Sequence, residues 1–428
     1  MNVICYPAQL CGTVQAIPSK SDAHRKLICA SLSGKRFSLG MHGPFCDDIA
    51  ATIRCLEALG ASVEAHASGL YVNPVKRQPH AALDCGESGS TLRFLLPVAM
   101  TVCSDISVTG SGRLPERPIG TLVEAMSAHG VQFSQAKLPL SAAGTLTGGT
   151  YEIEGNISSQ FLSGLLMALS FIDGDSEIRL TTPLQSSKYV DMTLDTLRDF
   201  DTQIETTVQN GLLRYHIKGK QGRDVSRHLP IDGDWSNAAF WLTAGAIQPS
   251  GTISVQGLNP DSVQGDKAIA GILQRAGADI AQIETKDGTL TSVSCGTLRE
   301  FDESMEEIPD LLPILAVRAA CGEGVSRFTN AERLRLKESD RLASTAAMLR
   351  TLGGTAEELP DGLCVQGGQL KGGTVDAQND HRLVMAAAIA AIRCKTPVTI
   401  LGAEAVNKSY PSFFDDYASL GGKNTVIT

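Results

Sequence analysis

The chain has 428 residues, with 37 Lys+Arg against 46 Asp+Glu and a net charge of −9. That balance argues against a general nucleic-acid binder, which is usually basic, and the length suffices for two or three domains. Charged residues are only 19% and glycines number 42, a composition of a compact, turn-rich protein rather than a disordered one.

Met1 to Gln15 has no basic segment followed by an apolar core, so no signal peptide is expected. Val3 to Gln15 reads as a strand. The longest apolar stretches, Leu95 to Cys103 and Val384 to Ile392, are too short to span a bilayer. The 11 cysteines lie between Cys5 and Cys394 with no C-x-x-C and no Cys/His cluster at zinc-ligand spacing. Reduced, buried thiols and no metal are the expectation.

From Ser19 a pattern recurs: polar cluster, apolar helix, strand, second polar cluster, second helix, strand. Its first unit opens S-K-S-D-A-H-R-K-L-I-C-A-S-L-S-G, with a second helix from Asp47 to Gly60. Later units begin near Gly89, Ser159, Ser236, Pro309 and His381, at spacings of 70, 70, 77, 73 and 72 residues. Apolar residues at i, i+3, i+4 and i+7 mark the helices, and alternating β-branched runs such as Ser176 to Leu180 and Thr252 to Val255 mark strands. The first helix of each unit is apolar nearly all round and should be buried, while the second helices are amphipathic. Six units imply two domains of three, dividing near Val225 to Pro230. The expected domains are 18–227, and 1–17 with 228–428, so that the first strand completes a sheet of the second domain.

Helix N-termini expose unpaired N–H groups and attract anions. At the first-helix starts stand Lys20, Ser21 and Arg25; Gly89, Ser90 and Arg93; Ser158, Ser159 and Gln160; Asp310; and His381 with Arg382. At the second-helix starts stand Arg117, Ser186 with Tyr189, Lys337, Glu338 and Arg341, and Lys408. Each alone has a plainer role: serines cap helices, surface cations are solvated, and Lys337 to Arg341 forms an ordinary charged turn. Recurrence at matched repeat positions carries the functional reading. The fourth unit, around Trp235 and Gln264, lacks cations and reads as structural; Asp47 and Asp48 read as caps. Such an array suits small substrates bearing phosphates and a carboxylate. Asp310 and Glu338, carboxylates among cations, suit a base and a proton shuttle, and Lys20 is a further proton donor. No G-x-x-x-x-G-K-[ST] and no G-x-G-x-x-G is present, so no nucleotide cofactor is implied. The residues therefore point to metal-free group transfer between small anions, in a cleft between domains.

Eight motifs in order carry a resemblance: P-S-K-S-D-A-H-R from Pro18, G-E-S-G-S-T-L-R from Gly86, E-R-P-I-G from Glu116, S-S-Q-F-L-S from Ser158, I-P-D from Ile308, K-E-S-D-R from Lys337, D-H-R from Asp380 and K-S-Y-P from Lys408. Each is short, but together they make the whole chain resemble the 5-enolpyruvylshikimate-3-phosphate synthases (3-phosphoshikimate 1-carboxyvinyltransferases). The resemblance implies an α/β fold of two similar domains, each of three βαβαββ units, an inside-out α/β barrel of the enolpyruvyl transferase type that closes on substrate. It implies transfer of the enolpyruvyl group of phosphoenolpyruvate to the 5-hydroxyl of shikimate 3-phosphate, releasing phosphate, by addition and elimination through a tetrahedral intermediate. It further implies a cytoplasmic enzyme of aromatic amino-acid biosynthesis, monomeric, without cofactor, nucleic acid or membrane as partner.

By motif, shikimate 3-phosphate falls to Lys20, Ser21, Arg25, Ser158, Ser159, Gln160, Ser186, Asp310 and Lys337. Phosphoenolpyruvate falls to Lys20, Gly89, Arg117, Arg341, Arg382 and Lys408. The resemblance makes Asp310 the base at the 5-hydroxyl and Glu338, helped by Lys20, the proton donor to the methylene carbon. The chain departs from the family pattern at Glu87 for Asn, Phe94 for Pro and Arg333 for Asn, and Lys188 is displaced by one position. Two rival families differ from this chain at particular residues or in what they require. A UDP-N-acetylglucosamine enolpyruvyl transferase carries Asn after its N-terminal Lys, where Ser21 stands here, and a loop Cys, whereas no Cys lies between Cys103 and Cys295. A non-catalytic anion binder needs no pair such as Asp310 and Glu338.

Overall fold

A computed structural model describes the chain except residues 42–43, 222–226, 287 and 428. The repeat read from the sequence is its folding unit. In one copy, strand Gln78–Asp84 leads through helix Gly89–Val102 to strand Cys103–Thr109, then through helix Gly120–Ser127 to the strands Val131–Phe133 and Leu140–Gly144. The first two strands pair in parallel, with Leu83 opposite Val108, a geometry that requires a crossover such as helix 89–102. The last two pair antiparallel, and the final strand lies beside the second. Among the described residues this order recurs in six four-stranded sheets.

Two sheets exchange their first strand. Gly12–Gln15 pairs in parallel with Thr252–Gln256, Val14 opposite Val255, while His228–Pro230 pairs in parallel with Phe37–Gly40, Leu229 opposite Leu39. Asn2–Tyr6 lies between Val398–Leu401 and Lys423–Ile427 as the last strand of the sixth sheet. The single strand expected over Val3 to Gln15 is thus two strands in two sheets. Pro7, which has no N–H for the ladder, ends the first, and Gly12, at φ +127°, opens the second.

The chain divides into two compact units, Met1–Ser19 with Asp232–Thr428, and Lys20–Ile231. These bounds lie two to four residues beyond the expected 17/18 and 227/228. The pairing of Leu229 with Leu39 keeps residues 228–230 in the 20–231 unit. The bond from the Ser19 amide to the Asp232 carbonyl, 2.7 Å, and the bridge of Pro18 to Gly233 keep residues 18–19 in the other. Of the divide expected near Val225 to Pro230, Val225 and Ser226 lie outside the described residues.

Each unit is built on three mutually packed helices. They are Lys20–Leu32, Gly89–Val102 and Ser159–Phe171 in one, and Trp235–Ile247, Leu312–Ala320 and His381–Ala391 in the other. Strands such as Ser176–Leu180 alternate buried and half-buried, so each sheet turns one face to its helices. Helix 381–391 is buried from end to end, which its alanines permit. Gly164 marks the closest approach of helices 159–171 and 89–102: a Cβ there would stand 3.0 Å from Pro97 Cγ and 3.2 Å from Phe94 Cα, and closer still to the Arg93 carbonyl. Pro97 has no N–H for that carbonyl, and the bare Gly164 backbone fills against it.

Helix 20–32 departs from the all-apolar expectation, because Asp22, Arg25 and Lys26 are buried in it. They are satisfied locally: Lys26 Nζ donates to Asp22 at 2.9 Å and to the Pro230 carbonyl at 2.8 Å. All cysteines are free thiols; Cys11 is exposed, Cys295 and Cys364 are half-buried and the others buried. Among the described residues no helix is long and apolar enough to cross a membrane, and no group of His, Cys, Asp and Glu could hold a metal ion.

Candidate active site

In the 20–231 unit, side chains cluster at the helix starts. Lys20 opens helix 20–32, and its Nζ lies 2.7 Å from Asp48 Oδ2 in the first turn of helix Asp47–Ala58. Cys46 stands at the N-cap, Asp47 and Asp48 lie in the first turn, and Asp48, expected as a cap, pairs with Lys20. Arg25 is buried, its charge opposed by desolvation, which draws its pKa down to about 10. It donates to Thr193 Oγ1 at 2.8 Å, the Ser21 carbonyl at 2.6 Å and the Tyr189 carbonyl at 2.8 Å, and stacks over Phe94. Arg25 thereby ties Ser21 to the start of helix Ser187–Asp199. Ser186, just before that helix, is buried in a left-handed conformation at φ +53°. Lys188 turns away to an exposed pair with Asp191.

Ser158 caps helix 159–171, accepting from the Gln160 amide at 3.3 Å, and Ser159 follows it, buried. The Gln160 side chain is oriented at both ends. Arg93 donates to its Oε1 at 2.7 Å, and its Nε2 donates to Ser90 at 2.9 Å. Gly89 and Arg117 meet so closely that a Cβ on Gly89 would stand 2.6 Å from Arg117 Nη1 and 2.9 Å from Cζ. The Arg117 guanidinium thus lies over the first residue of helix 89–102, at its positive end. Glu87 folds its carboxylate against Gly112.

In the 232–428 unit the cations and carboxylates interlock. Arg341, about 1% exposed, opens helix Arg341–Thr351. It donates to Asp310 at 2.7 Å, Asp380 at 2.8 Å and Glu338 at 2.5 Å. Asp310, in the 3-10 turn Pro309–Leu311, also receives Arg382 at 3.0 Å and Lys337 at 3.4 Å. Burial pushes the Asp310 carboxyl up, but Arg382, Lys337 and Arg341 outweigh it and hold it well below the usual carboxylate range. Asp380 caps helix 381–391 through the Arg382 amide at 3.0 Å and accepts from Ser339 at 3.0 Å. Lys408 ends the 3-10 turn Ala403–Lys408, its Nζ 2.6 Å from the Asn379 carbonyl; it does not start a helix as expected. His381 is buried beside Asp380. Arg333 donates to the Glu306 carbonyl at 3.0 Å.

Within this unit, Asp310, Lys337, Glu338, Arg341 and Arg382 form one network. Within the other, Lys20 with Asp48, Ser21 with Arg25, Gly89 with Arg117, and Gln160 with Ser90 and Arg93 are local pairs and triads. Sequence reasoning missed Asp48 and Asp380 as partners of the key cations. Asp380 sits inside the D-H-R motif and Asp48 at the start of an amphipathic helix, but neither signal names a partner across 28 or 39 residues. In the fourth unit the Gln264 side chain accepts from Ser19 and the Trp235 amide and donates to the Gly233 carbonyl, pinning the turn before helix 235–247.

Comparison with known proteins accords with this geometry. A family model described as EPSP synthase (3-phosphoshikimate 1-carboxyvinyltransferase) matches residues 5–417. Proteins named 3-phosphoshikimate 1-carboxyvinyltransferase are similar over nearly their full length: that of Clostridium novyi at 41% identity, covering 98% of both chains, and that of Clostridium acetobutylicum at 41%, covering 97% of this chain and 96% of the relative. Two solved structures share the fold. An EPSP synthase from Acinetobacter baumannii is 24% identical with a TM-score of 0.79, covering 99% of this chain and 100% of that one. The enolpyruvyl transferase NikO from Streptomyces tendae is 16% identical with a TM-score of 0.77, covering 99% and 98%. The α/β units described above are therefore those of the enolpyruvyl transferase fold, and the chain belongs to the EPSP synthase (3-phosphoshikimate 1-carboxyvinyltransferase) family.

Proposed function

We propose that this chain transfers the enolpyruvyl group of phosphoenolpyruvate to the 5-hydroxyl of shikimate 3-phosphate and releases phosphate. The observation that carries the proposal is the sharing of one buried guanidinium, Arg341, by two carboxylates with distinct assignments, Asp310 and Glu338. Anion binding needs the cations; proton transfer needs in addition carboxylates placed among them, as these two are.

Asp310 takes the proton of the 5-hydroxyl as the oxygen attacks C2 of phosphoenolpyruvate. Glu338, with Lys20 assigned a part in the same transfer, protonates the methylene carbon and gives the tetrahedral intermediate. Elimination returns the methylene proton to the protein and expels phosphate. Lys20, Ser21, Arg25, Ser158, Ser159, Gln160, Ser186, Asp310 and Lys337 are assigned to shikimate 3-phosphate. Lys20, Gly89, Arg117, Arg341, Arg382 and Lys408 are assigned to phosphoenolpyruvate. Cations preset for a trianion stabilise charge in the transition state without reorganisation. The same proposal makes the protein a cytoplasmic monomer that works without a cofactor.

The test is phosphate release from phosphoenolpyruvate with and without shikimate 3-phosphate. Release that depends on the shikimate ester is expected. Release dependent on a nucleotide sugar instead, or none with either, would overturn the assignment.

A further inference from the structure

His24 is a buried titratable group that the proposed reaction does not use. It lies one turn along helix 20–32 from Lys20, is about 1% exposed, and meets Phe94 of helix 89–102 edge-on, with ring centroids 6.3 Å apart. Its Nδ1 is 2.8 Å from Thr52 Oγ1, while its Nε2 is buried and has no hydrogen-bond partner among the described residues. Burial and the charges of Lys20 and Arg25 hold its pKa well below the ordinary value, so the ring is neutral and carries one N–H.

The bond to Thr52 is the first of a chain. Thr52 Oγ1 is 2.7 Å from Thr91 Oγ1, in the first turn of helix 89–102. The Thr91 hydroxyl in turn faces two acceptors, Ser88 Oγ at the N-cap of that helix, at 2.8 Å, and the Asp48 carbonyl at 3.3 Å. A hydroxyl has a single proton to give. Thr91 passes its own onward, so it accepts from Thr52, Thr52 accepts from His24, and the imidazole proton sits on Nδ1. In that tautomer the buried Nε2 is a bare acceptor rather than a stranded N–H.

The chain closes on residues assigned to substrate. Lys20 and His24 are i and i+4 on helix 20–32, and Asp48 and Thr52 are i and i+4 on helix 47–58. Lys20 meets Asp48 at 2.7 Å and His24 meets Thr52 at 2.8 Å, two rungs between the same two helices. Thr91 joins both rungs, through the Thr52 hydroxyl and the Asp48 carbonyl, and stands two residues after Gly89. A leucine at position 24 would fill the space without burying an unpartnered nitrogen; what the imidazole adds is a directional N–H at the head of this frame.

We propose that His24 is a positioning residue, which through Thr52 and Thr91 fixes the Lys20 ammonium relative to the Gly89 end of helix 89–102. It touches no substrate. The inference rests on the assignment of Lys20 and Gly89 to phosphoenolpyruvate.

The experiment follows steady-state phosphate release by the full chain, with kcat, the KM for phosphoenolpyruvate and the melting temperature measured for each variant. His24→Leu removes the donor and is expected to raise that KM about three- to ten-fold, the range one hydrogen bond supplies. His24→Asn places an amide donor where Nδ1 stood and should recover most of the loss. Thr52→Val covers the case in which His24→Leu fails to fold: it breaks the chain at its second member, leaves His24 in place and should raise the same KM. Nitrogen NMR of the parent should find the His24 ring neutral and protonated on Nδ1. A KM unchanged in His24→Leu and Thr52→Val, whatever their melting temperatures, would overturn the inference and leave the reaction intact. So would a His24→Asn enzyme no better than His24→Leu, or a ring protonated on Nε2. A parent that releases no phosphate with shikimate 3-phosphate would instead remove the reading of the reaction, and the inference with it.

Discussion

Replacing Arg341 by Met tests whether the network is held together by one guanidinium. Three carboxylates converge on it, at 2.7 Å from Asp310, 2.8 Å from Asp380 and 2.5 Å from Glu338. Removing one member of a buried ion pair costs about 3–5 kcal/mol, mostly from the charge left behind. The partners here are not stripped bare. Asp310 keeps Arg382 at 3.0 Å and Lys337 at 3.4 Å, and Asp380 keeps Ser339 and the Arg382 amide, both at 3.0 Å. Glu338 is partly exposed and can hydrate. The lower end, about 3 kcal/mol, is therefore expected, or roughly 6–12 °C in the melting temperature of a unit of this size. The sign with pH follows from Asp310. Its folded pKa is depressed, so its contribution is fully present above the unfolded value of about 3.9 and is lost as pH falls through the lower folded value. Urea unfolding of Arg341→Met should thus show its largest deficit near neutral pH and a shrinking one below about pH 4. A variant as stable as the parent at neutral pH would show that burying the guanidinium costs as much as its three pairs return, and the reasoning would fail.

Three further outcomes are expected. Asp310→Ala should depress kcat far more than it changes the KM for phosphoenolpyruvate, while Arg117→Ala should chiefly raise that KM; steady-state kinetics separates them, and the reverse pattern would exchange their roles. Gly89→Ala places a Cβ 2.6 Å from Arg117 Nη1, so the guanidinium must move and the KM for phosphoenolpyruvate should rise with the fold intact, which circular dichroism and kinetics check together. Asp266→Asn should stabilise the protein at neutral pH. The native carboxyl is raised from 3.8 to about 6, so the folded state binds more protons between those values and parent stability falls as pH rises through them. Relieving that penalty is worth on the order of 3 kcal/mol at pH 7 and nothing below about pH 4, which unfolding curves at the two pH values will read.

Much of this architecture was legible because it repeats. A helix buried on all sides every seventy-odd residues left an apolar signature, and the serines and aspartates before those helices announced their caps; Ser88, Ser158, Asp234, Asp340 and Asp380 all accept from the first turn. Lys20, Gly89, Ser159 and His381 each fell at the head of a helix for the same reason. What stayed hidden was pairing over distance. Nothing local to Gly12–Gln15 states that its neighbour is Thr252–Gln256, and the exchange of that strand with His228–Pro230 is a property of the sheets. The polar partners were hidden likewise. Asp48 resembles any acidic residue in a first helical turn, where the macrodipole favours it, until Lys20 is found beside it. Arg93 reads as a solvated cation, but it is buried and fixes Gln160.

The network in the 232–428 unit poses a chemical difficulty whose answer lies in the substrates. A base should be strong, yet Asp310 is weakened by three cations, two of which, Arg341 and Arg382, are assigned to phosphoenolpyruvate. In the free protein the carboxylates Asp310 and Glu338 occupy the guanidinium donors that an incoming anion needs. A carboxylate or phosphate arriving there competes for the same N–H groups and screens the same positive charge. One charge at 4 Å in surroundings of effective dielectric 20 is worth about 4 kcal/mol, so a bound anion opposes the pull of the cations on Asp310. In the proposed reaction Asp310 would then gain basicity once phosphoenolpyruvate is bound, so that the hydroxyl of the co-substrate would be deprotonated only when its electrophile is present, and the weakness of the base in the free protein would keep the two steps together.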